Sequence, residues 1–531
     1  MSAQVRQGAT TNAVSRTAMV TSPHWRATEA GAAVLRRGGN AIEALVAAGA
    51  ALSVLYPHFC GLGGDAVWMV SDASGDVRTF LGIGQAAEAV SDITEIPLRG
   101  PKSTLTTACL ADSWEKVLTH SSSHWQGKEK LASLLDEAIE IAEGGFVVSR
   151  SQSFWHDFRR TELGNWPGFA ETFRGEGEQR QPALARTIRS LAKNGARDFY
   201  EGEIAHRIAG GLADVGSPLT STDLARTQTR EAAPITLPYR GLDLFAPPPP
   251  TQGVTTLGIM GVLGNLAIGD LPPSGAAYYH HLVEAVKQAF LDRHRIGDPD
   301  FSTDSAMTAL LDDEILSRKA KSIDPGKAMA WPHVHRQGDT AFLGAVDAEG
   351  RCASLLQSIY FDWGSGVVVG DTGILWQNRG AAFSLDPASP NRLEPGKRPF
   401  YTLNPGMALK NGRPHLLYGT QGADGQPQTL SLLISLLADH GFDPLAALSH
   451  PRFLLGRTFS DTRDTLKIEA NLGEAAIAGL SGLQHEVSAI DAFSQLGGQA
   501  GIIRIADDGL IEGAHDPRSD GGAIGLAEQA A

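Results

Sequence analysis

Hydrophobic positions along the first sixty residues repeat at helical spacing. In "HWRATEAGAAVLRRGGNAIEALVAAGAALSVLY" (24–56), Ala27, Ala30 and Val34 fall on one face, as do Ile42, Leu45, Val46 and Gly49. Gly38-Gly39-Asn40 supplies a stop and a restart, so the pattern predicts two helices in a hairpin. Their residues are small, which allows close packing. "FCGLGGDAVWMV" then runs a glycine turn into a strand. It follows a helix and lacks a Gly-Lys-Ser/Thr, so a tight turn packed on the helical pair fits better than a phosphate loop. Residues 125–210 read as mostly helical and charged. "LDLFAPPPPTQGVTTLGIMGVLG" (243–264) reads as strand, proline-rich loop and helix. "YYHHLVEAVKQAFLDRHRIGDPDF" (278–301) reads as a helix ending in a turn. From residue 340 the pattern switches to short strands and turns: "TAFLGAVD", "CASLLQSIY", "GILWQN", "HLLYGT". Helical periodicity returns at "QPQTLSLLISLLADHG". There is no tandem repeat, and the texture is α+β with its change close to Thr340.

The chain has 531 residues, 42% hydrophobic and 20% charged, enough for one large core or two to four domains. Its formal net charge of -14 argues against nucleic-acid or anionic-membrane partners. An anionic substrate would need a local cation. Cys60, Cys109 and Cys352 are odd in number and far apart, so neither a disulfide framework nor a zinc cluster is expected. The first residues lack the apolar core of a secretory signal, and no stretch has the length of a membrane span; a cytoplasmic protein is expected. Adjacent His280 and His281 face different ways on a helix. His333 and His335 share a face only if extended and lack a third ligand. No metal or organic cofactor is expected.

"RQGDTAFLGAVDAEG" (336–350) places Thr340 at the head of a strand-turn-strand unit. A threonine hydroxyl needs an adjacent base, and its own α-amino group serves when the threonine begins a chain. The precursor must then cut itself: the hydroxyl attacks the carbonyl of Asp339, and the ester hydrolyses. The small Gly338-Asp339 suits such a turn. Ser358 could bring a second hydroxyl beside Thr340 if the hairpin folds back. The Gly-Asp-Thr at 370–372 is ordinary turn composition.

The order of several segments resembles the γ-glutamyltransferase family of N-terminal-nucleophile hydrolases. They are "AGAAVLRRGGNAIEALVAAGAALSVLYPHFCGLGGD", "APPPPTQG", "EAVKQAFLDRHRIGDPDF", "DTAFLGAVDAEG", "GSGVVVGDTGILWQNRGAAFSLDP", "PGKRPFYTLNP" and "GAHDPRSDGG". The resemblance spans nearly the whole chain. It implies a four-layer αββα sandwich and cleavage between Asp339 and Thr340. The products would be a large chain, 1–339, and a small chain, 340–531, intertwined in one structural domain, with a dimer of such heterodimers as a further expectation. It implies Thr340 as nucleophile, Ser358 as support for its amino group, and the Gly422 and Ala423 N–H groups as the oxyanion hole. Thr402 falls on the second residue of the family's serine pair, and Tyr401 replaces the first.

The departures bear on substrate. The family's carboxylate-binding arginine corresponds to Gly84 here, and its amine-binding aspartate to Ala382. Arg379 stands where the transferases carry a neutral polar side chain. An unpaired ammonium in such a site costs several kcal/mol. An arginine offers a fork to a carboxylate instead. The expected substrate is therefore a small anionic amide without an α-amino group, held by Asn378, Arg379, Tyr401 and Thr402. The oxamate amidohydrolase branch fits, as does the glutaryl- or cephalosporin-acylase branch, which shares the Asn378-Arg379-Gly380 pattern. Tyr401 would fill the space a longer acyl chain needs. Arg379 could instead form a structural ion pair. Asp424 either orients the substrate or closes a turn. A γ-glutamyl hydrolase acting on glutathione-like substrates, and an unprocessed non-catalytic relative, are the competing readings.

Overall fold

The strand Asp339–Val346 lies near the middle of a seven-stranded antiparallel sheet in the computed structural model, which describes residues 12–302, 305–331, 339–457 and 464–527. His333, His335 and Gly338 lie outside the described residues. The order across this sheet is 522–525, 19–22, 339–346, 352–360, 65–71, 77–82 and 230–232. A second antiparallel sheet runs 13–15, 511–515, 500–505, 413–420, 406–410, 242–246 and 235–239. Strands from before and after residue 340 are interleaved in both.

Alternation decides which face each side chain takes. In the 339–346 strand, Ala341, Leu343 and Ala345 join the core under the helices Trp25–Arg36 and Ala41–Leu55. Phe342 and Val346 face the opposite way, into the layer between the sheets. The second sheet packs its outer face on the helices Gly253–Gly264, Ala276–Phe290 and Gln426–Ala438. Helix, sheet, sheet and helix thus make the four-layer αββα sandwich.

Two local devices set the strand that carries Thr340. Asn40 caps the second helix: its side chain accepts from the Glu43 N–H at 3.1 Å, while Glu43 accepts from the Asn40 N–H at 2.8 Å. Between the sheets, Phe342 lies against Gly419 and Gly501 of the facing sheet. A Cβ at either glycine would come within 2.1 or 2.7 Å of its ring. This contact fixes the strand two residues beyond Thr340, and emptying it (Phe342→Ala) would cost about 3–5 kcal/mol.

One expected strand is shorter than its apolar pattern. Only Ile374–Leu375 of "GILWQN" forms a strand ladder, and Trp376 adds a single bridge to Gly63. Trp376, Gln377 and Asn378 instead donate to the carbonyls of Thr106, Thr107 and Leu98, so local hydrophobicity gives way to side-chain bonds with a distant loop. All three cysteines are buried and free. Among the described residues no helix is long and apolar enough to cross a membrane.

Candidate active site

Thr340 sits at a break in strand register. Asp339 pairs with Tyr360 and Ala341 with Gln357, so Ser358 and Ile359 together oppose Thr340. Such a bulge turns a side chain out of the regular alternation. Thr340 is fully buried, and its Oγ1 accepts a hydrogen bond from Gln426 Nε2 at 3.1 Å. Ser358 is buried across the bulge, and its Oγ accepts from the Tyr360 N–H at 2.8 Å. The glycine turn before the Asp65 strand presses on this point: a Cβ on Gly64 would lie 2.2 Å from the Ser358 carbonyl oxygen. The second Gly-Asp-Thr is a turn, with Thr372 Oγ1 donating to the Val369 carbonyl at 2.6 Å.

The segment 422–426 closes the site from the facing sheet. Gly422 and Ala423 both have positive φ, 122° and 43°, and Gly425 N–H donates to the Gly422 carbonyl at 2.6 Å. Among the described residues, no acceptor is bonded to the N–H of Gly422 or Ala423. Gln252 secures the turn: its Nε2 donates to the carbonyls of Ala423 and Thr402, each at 2.7 Å. Its Oε1 accepts from Arg293, which also pairs with Asp424. Asp424 is thus engaged in the turn's own scaffold.

Arg379 is fully buried and lies between two aromatic rings. Its guanidinium carbon is 3.8 Å from the ring centres of both Tyr360 and Tyr401. Nη1 donates to Thr402 Oγ1 at 3.2 Å, while Nε and Nη2 have no partner. Among the described residues no carboxylate is within ion-pair distance of this guanidinium. The two rings return part of the desolvation cost through cation–π attraction. They also hold the guanidinium flat, with two N–H donors to spare.

Asp65 supports this stack from the next strand, where it pairs with Ser358. Its Oδ1 accepts from the N–H groups of Gly84 and Cys109 at 3.0 and 2.8 Å, and its Oδ2 from the Tyr401 hydroxyl at 2.6 Å. Burial pushes the Asp65 carboxyl up to about 6, although those hydrogen bonds and the Arg379 charge oppose the rise. Burial likewise pushes the Tyr401 phenol well above its usual range. Gly84 has no room for a side chain, since a Cβ would meet the Thr107 carbonyl oxygen at 1.8 Å. Asn378 has both ends of its amide committed, accepting from the Phe361 N–H at 3.1 Å and donating to the Leu98 carbonyl at 2.6 Å. These two bonds brace the loop.

Sequence reasoning missed Gln426, Gln252, Asp65 and Tyr360. Each stands in or beside a segment it singled out, but nothing local marked them. The His280, Glu284 and His485 ligand atoms lie within 4.8 Å of one another. There the Lys287 ammonium already holds Glu284 at 2.7 Å, and His280 is bonded through both ring nitrogens, to His485 and to the Asp324 carbonyl. Glu284 and His280 are thus engaged by protein groups.

The comparisons with known proteins agree over the whole length. Residues 27–526 match the family model described as Gamma-glutamyltranspeptidase. The chain is 42% identical to the oxamate amidohydrolase proenzyme of Klebsiella pneumoniae, over 96% of this chain and 99% of that protein. It is 38% identical to the glutathione hydrolase-like YwrD proenzyme of Bacillus subtilis, over 96% and 98%. Among solved structures, the cephalosporin acylase from Bacillus halodurans superposes with a TM-score of 0.88 at 28% identity, over 100% of this chain and 99% of that one. The chain therefore belongs to the gamma-glutamyltranspeptidase family, as an amidohydrolase of the N-terminal-nucleophile type.

Proposed function

We propose that this protein cuts itself between Asp339 and Thr340 and then uses Thr340 to hydrolyse a small anionic amide, oxamate, to oxalate and ammonia. The observation that carries the reading is Arg379. Among the described residues this buried guanidinium has no carboxylate partner; it is stacked between Tyr360 and Tyr401, with Nε and Nη2 unused. A planar fork of this kind recognises a carboxylate in two parallel bonds. A γ-glutamyl group would bring an ammonium beside the Arg379 charge, where Asp65 already accepts three hydrogen bonds. The relative named for oxamate supports the short-substrate choice over the acylase choice, and the buried Tyr401 ring stacked on Arg379 favours a short acyl group.

The first step breaks the Asp339–Thr340 peptide. Thr340 Oγ attacks the Asp339 carbonyl carbon, the amide nitrogen leaves as the new α-amine, and water hydrolyses the ester. Chains 1–339 and 340–531 remain interleaved in both sheets. In turnover the Thr340 α-amine takes the hydroxyl proton as Oγ attacks the oxamate amide carbon. The Gly422 and Ala423 N–H groups receive the oxyanion, a contribution of about 10²–10³ in rate per donor. The proton passes to the leaving nitrogen, ammonia departs, and water attacks the acyl ester to release oxalate. Ser358 supports the amine, and Arg379 and Thr402 hold the carboxylate.

The test is the intact mass of purified wild type and Thr340→Ala. Wild type should give two chains, the smaller beginning at Thr340, and the variant one inactive chain. A Thr340→Ala protein that still separates at 339/340 refutes the assignment.

A further inference from the structure

The Gln426 side chain is fully buried, and its two ends are in different states. Nε2 donates to Thr340 Oγ1 at 3.1 Å, while among the described residues Oε1 has no partner. A buried carbonyl oxygen left without a donor costs about 1–3 kcal/mol. The residue opens the helix Gln426–Ala438, directly after the turn that carries Gly422 and Ala423, so its backbone is fixed on the same support as those groups. The donor and acceptor of one carboxamide lie side by side. So do the nitrogen and the hydroxyl oxygen of one threonine.

We propose that Gln426 positions the nucleophile of the processed enzyme. Its Nε2 keeps the bond to Thr340 Oγ, and its Oε1 accepts an N–H of the α-amino group that cleavage releases. The inference rests on Thr340 being the nucleophile. Two parallel hydrogen bonds would fix the amine with its lone pair toward the hydroxyl proton. The Nε2 bond would strengthen as Oγ gains charge in the attack, which places part of its effect in the transition state. Cleavage thereby supplies the missing partner of Oε1.

The test compares Gln426→Met and Gln426→Glu with wild type, using the intact mass of the chains, oxamate turnover, and titration of the Thr340 α-amine. The titration follows the pH dependence of its reaction with an acylating reagent, read by mass spectrometry. The ionisable side chains of the neighbouring elements stay in place in every variant: Asp65 and Arg379 by the strand pair, Asp424 and Arg293 by the turn, and His515 against the Phe342 carbonyl. Gln426→Met should still be cut at 339/340, lose about a hundredfold in kcat, and titrate its amine at lower pH, because the acceptor that favours the ammonium is gone. Gln426→Glu should titrate at higher pH by about one unit, because a carboxylate favours the ammonium more strongly. Equal titration in all three proteins, or a kcat within about threefold of wild type, overturns the proposal. A variant that does not fold is replaced by a structure of processed wild type, where Oε1 should lie within hydrogen-bond distance of the Thr340 nitrogen; a separation beyond about 4 Å overturns it. Cleavage of Thr340→Ala would defeat the underlying reading by itself, and a wild type inert to oxamate would defeat only the substrate, with the amine titration still deciding the role of Gln426.

Discussion

Replacing Arg379 by methionine should separate substrate recognition from stability. In the folded protein this guanidinium has one hydrogen bond, to Thr402, and two rings at 3.8 Å, while Nε and Nη2 are buried without partners. Each orphaned donor costs about 1–3 kcal/mol. Each ring contact returns about 0.5–2 kcal/mol, and the charged hydrogen bond about 1.5–3 kcal/mol. These contributions nearly cancel, and methionine keeps the apolar contact with both tyrosines at no desolvation cost. The melting temperature of Arg379→Met should therefore equal or exceed that of wild type, and self-cleavage should be intact. Activity should move the other way. A buried, two-point carboxylate anchor is worth about 3–5 kcal/mol when one partner is removed. At about 1.4 kcal/mol per tenfold, that predicts a fall in kcat/KM for oxamate of about two to three and a half orders of magnitude. Ammonia release measured on oxamate and on its uncharged methyl ester separates anchoring from general damage, because the ester has no carboxylate to lose. The reasoning fails if both substrates suffer equally, or if the variant melts well below wild type, since either would make Arg379 a structural residue.

Three further substitutions probe the surroundings of Arg379. Asp65 has its carboxyl raised from 3.8 to about 6 in the folded protein, worth about 3 kcal/mol. Because the folded value is the higher one, this contribution is fully present below pH 4 and lost as pH rises through 6. Asp65→Asn should therefore gain on wild type in thermal melts between pH 4 and pH 7, and a difference that stays flat over that range would contradict the burial argument. Tyr401→Ala should admit longer acyl amides and weaken oxamate binding, since it removes a buried ring that stacks on Arg379; an unchanged chain-length preference counts against it. Gly84→Ala should cost several kcal/mol in stability and yield little processed protein, because its Cβ would meet the Thr107 carbonyl oxygen at 1.8 Å. Normal yield and melting would mean that the backbone there shifts easily.

What could be read from the chain was local or ordered. The helical hairpin, the Asn40 restart and the alternation in "DTAFLGAV" depend on neighbours in sequence, and the structure has them where the pattern placed them. Arg379 itself was singled out by a charge argument at a single position. The partners that hold the site were not legible. Tyr360 meets Arg379 at the end of the strand where the register breaks opposite Thr340, and Asp65 reaches Tyr401 across 336 residues of sequence. Gln252 and Gln426 act through single amides whose partners come from other segments. Asn378 was singled out by its place in a motif, but its bonds to Phe361 and to the Leu98 carbonyl, 280 residues away, were not legible.

Ammonia release from oxamate by the purified protein, run beside cleavage of a γ-glutamyl anilide, tests the central claim most directly. Turnover of oxamate without anilide cleavage is the predicted result. Anilide cleavage without oxamate turnover would contradict it, and would mean that the Arg379 fork and the hydrogen-bonded Asp65 accommodate an amino-acid head group.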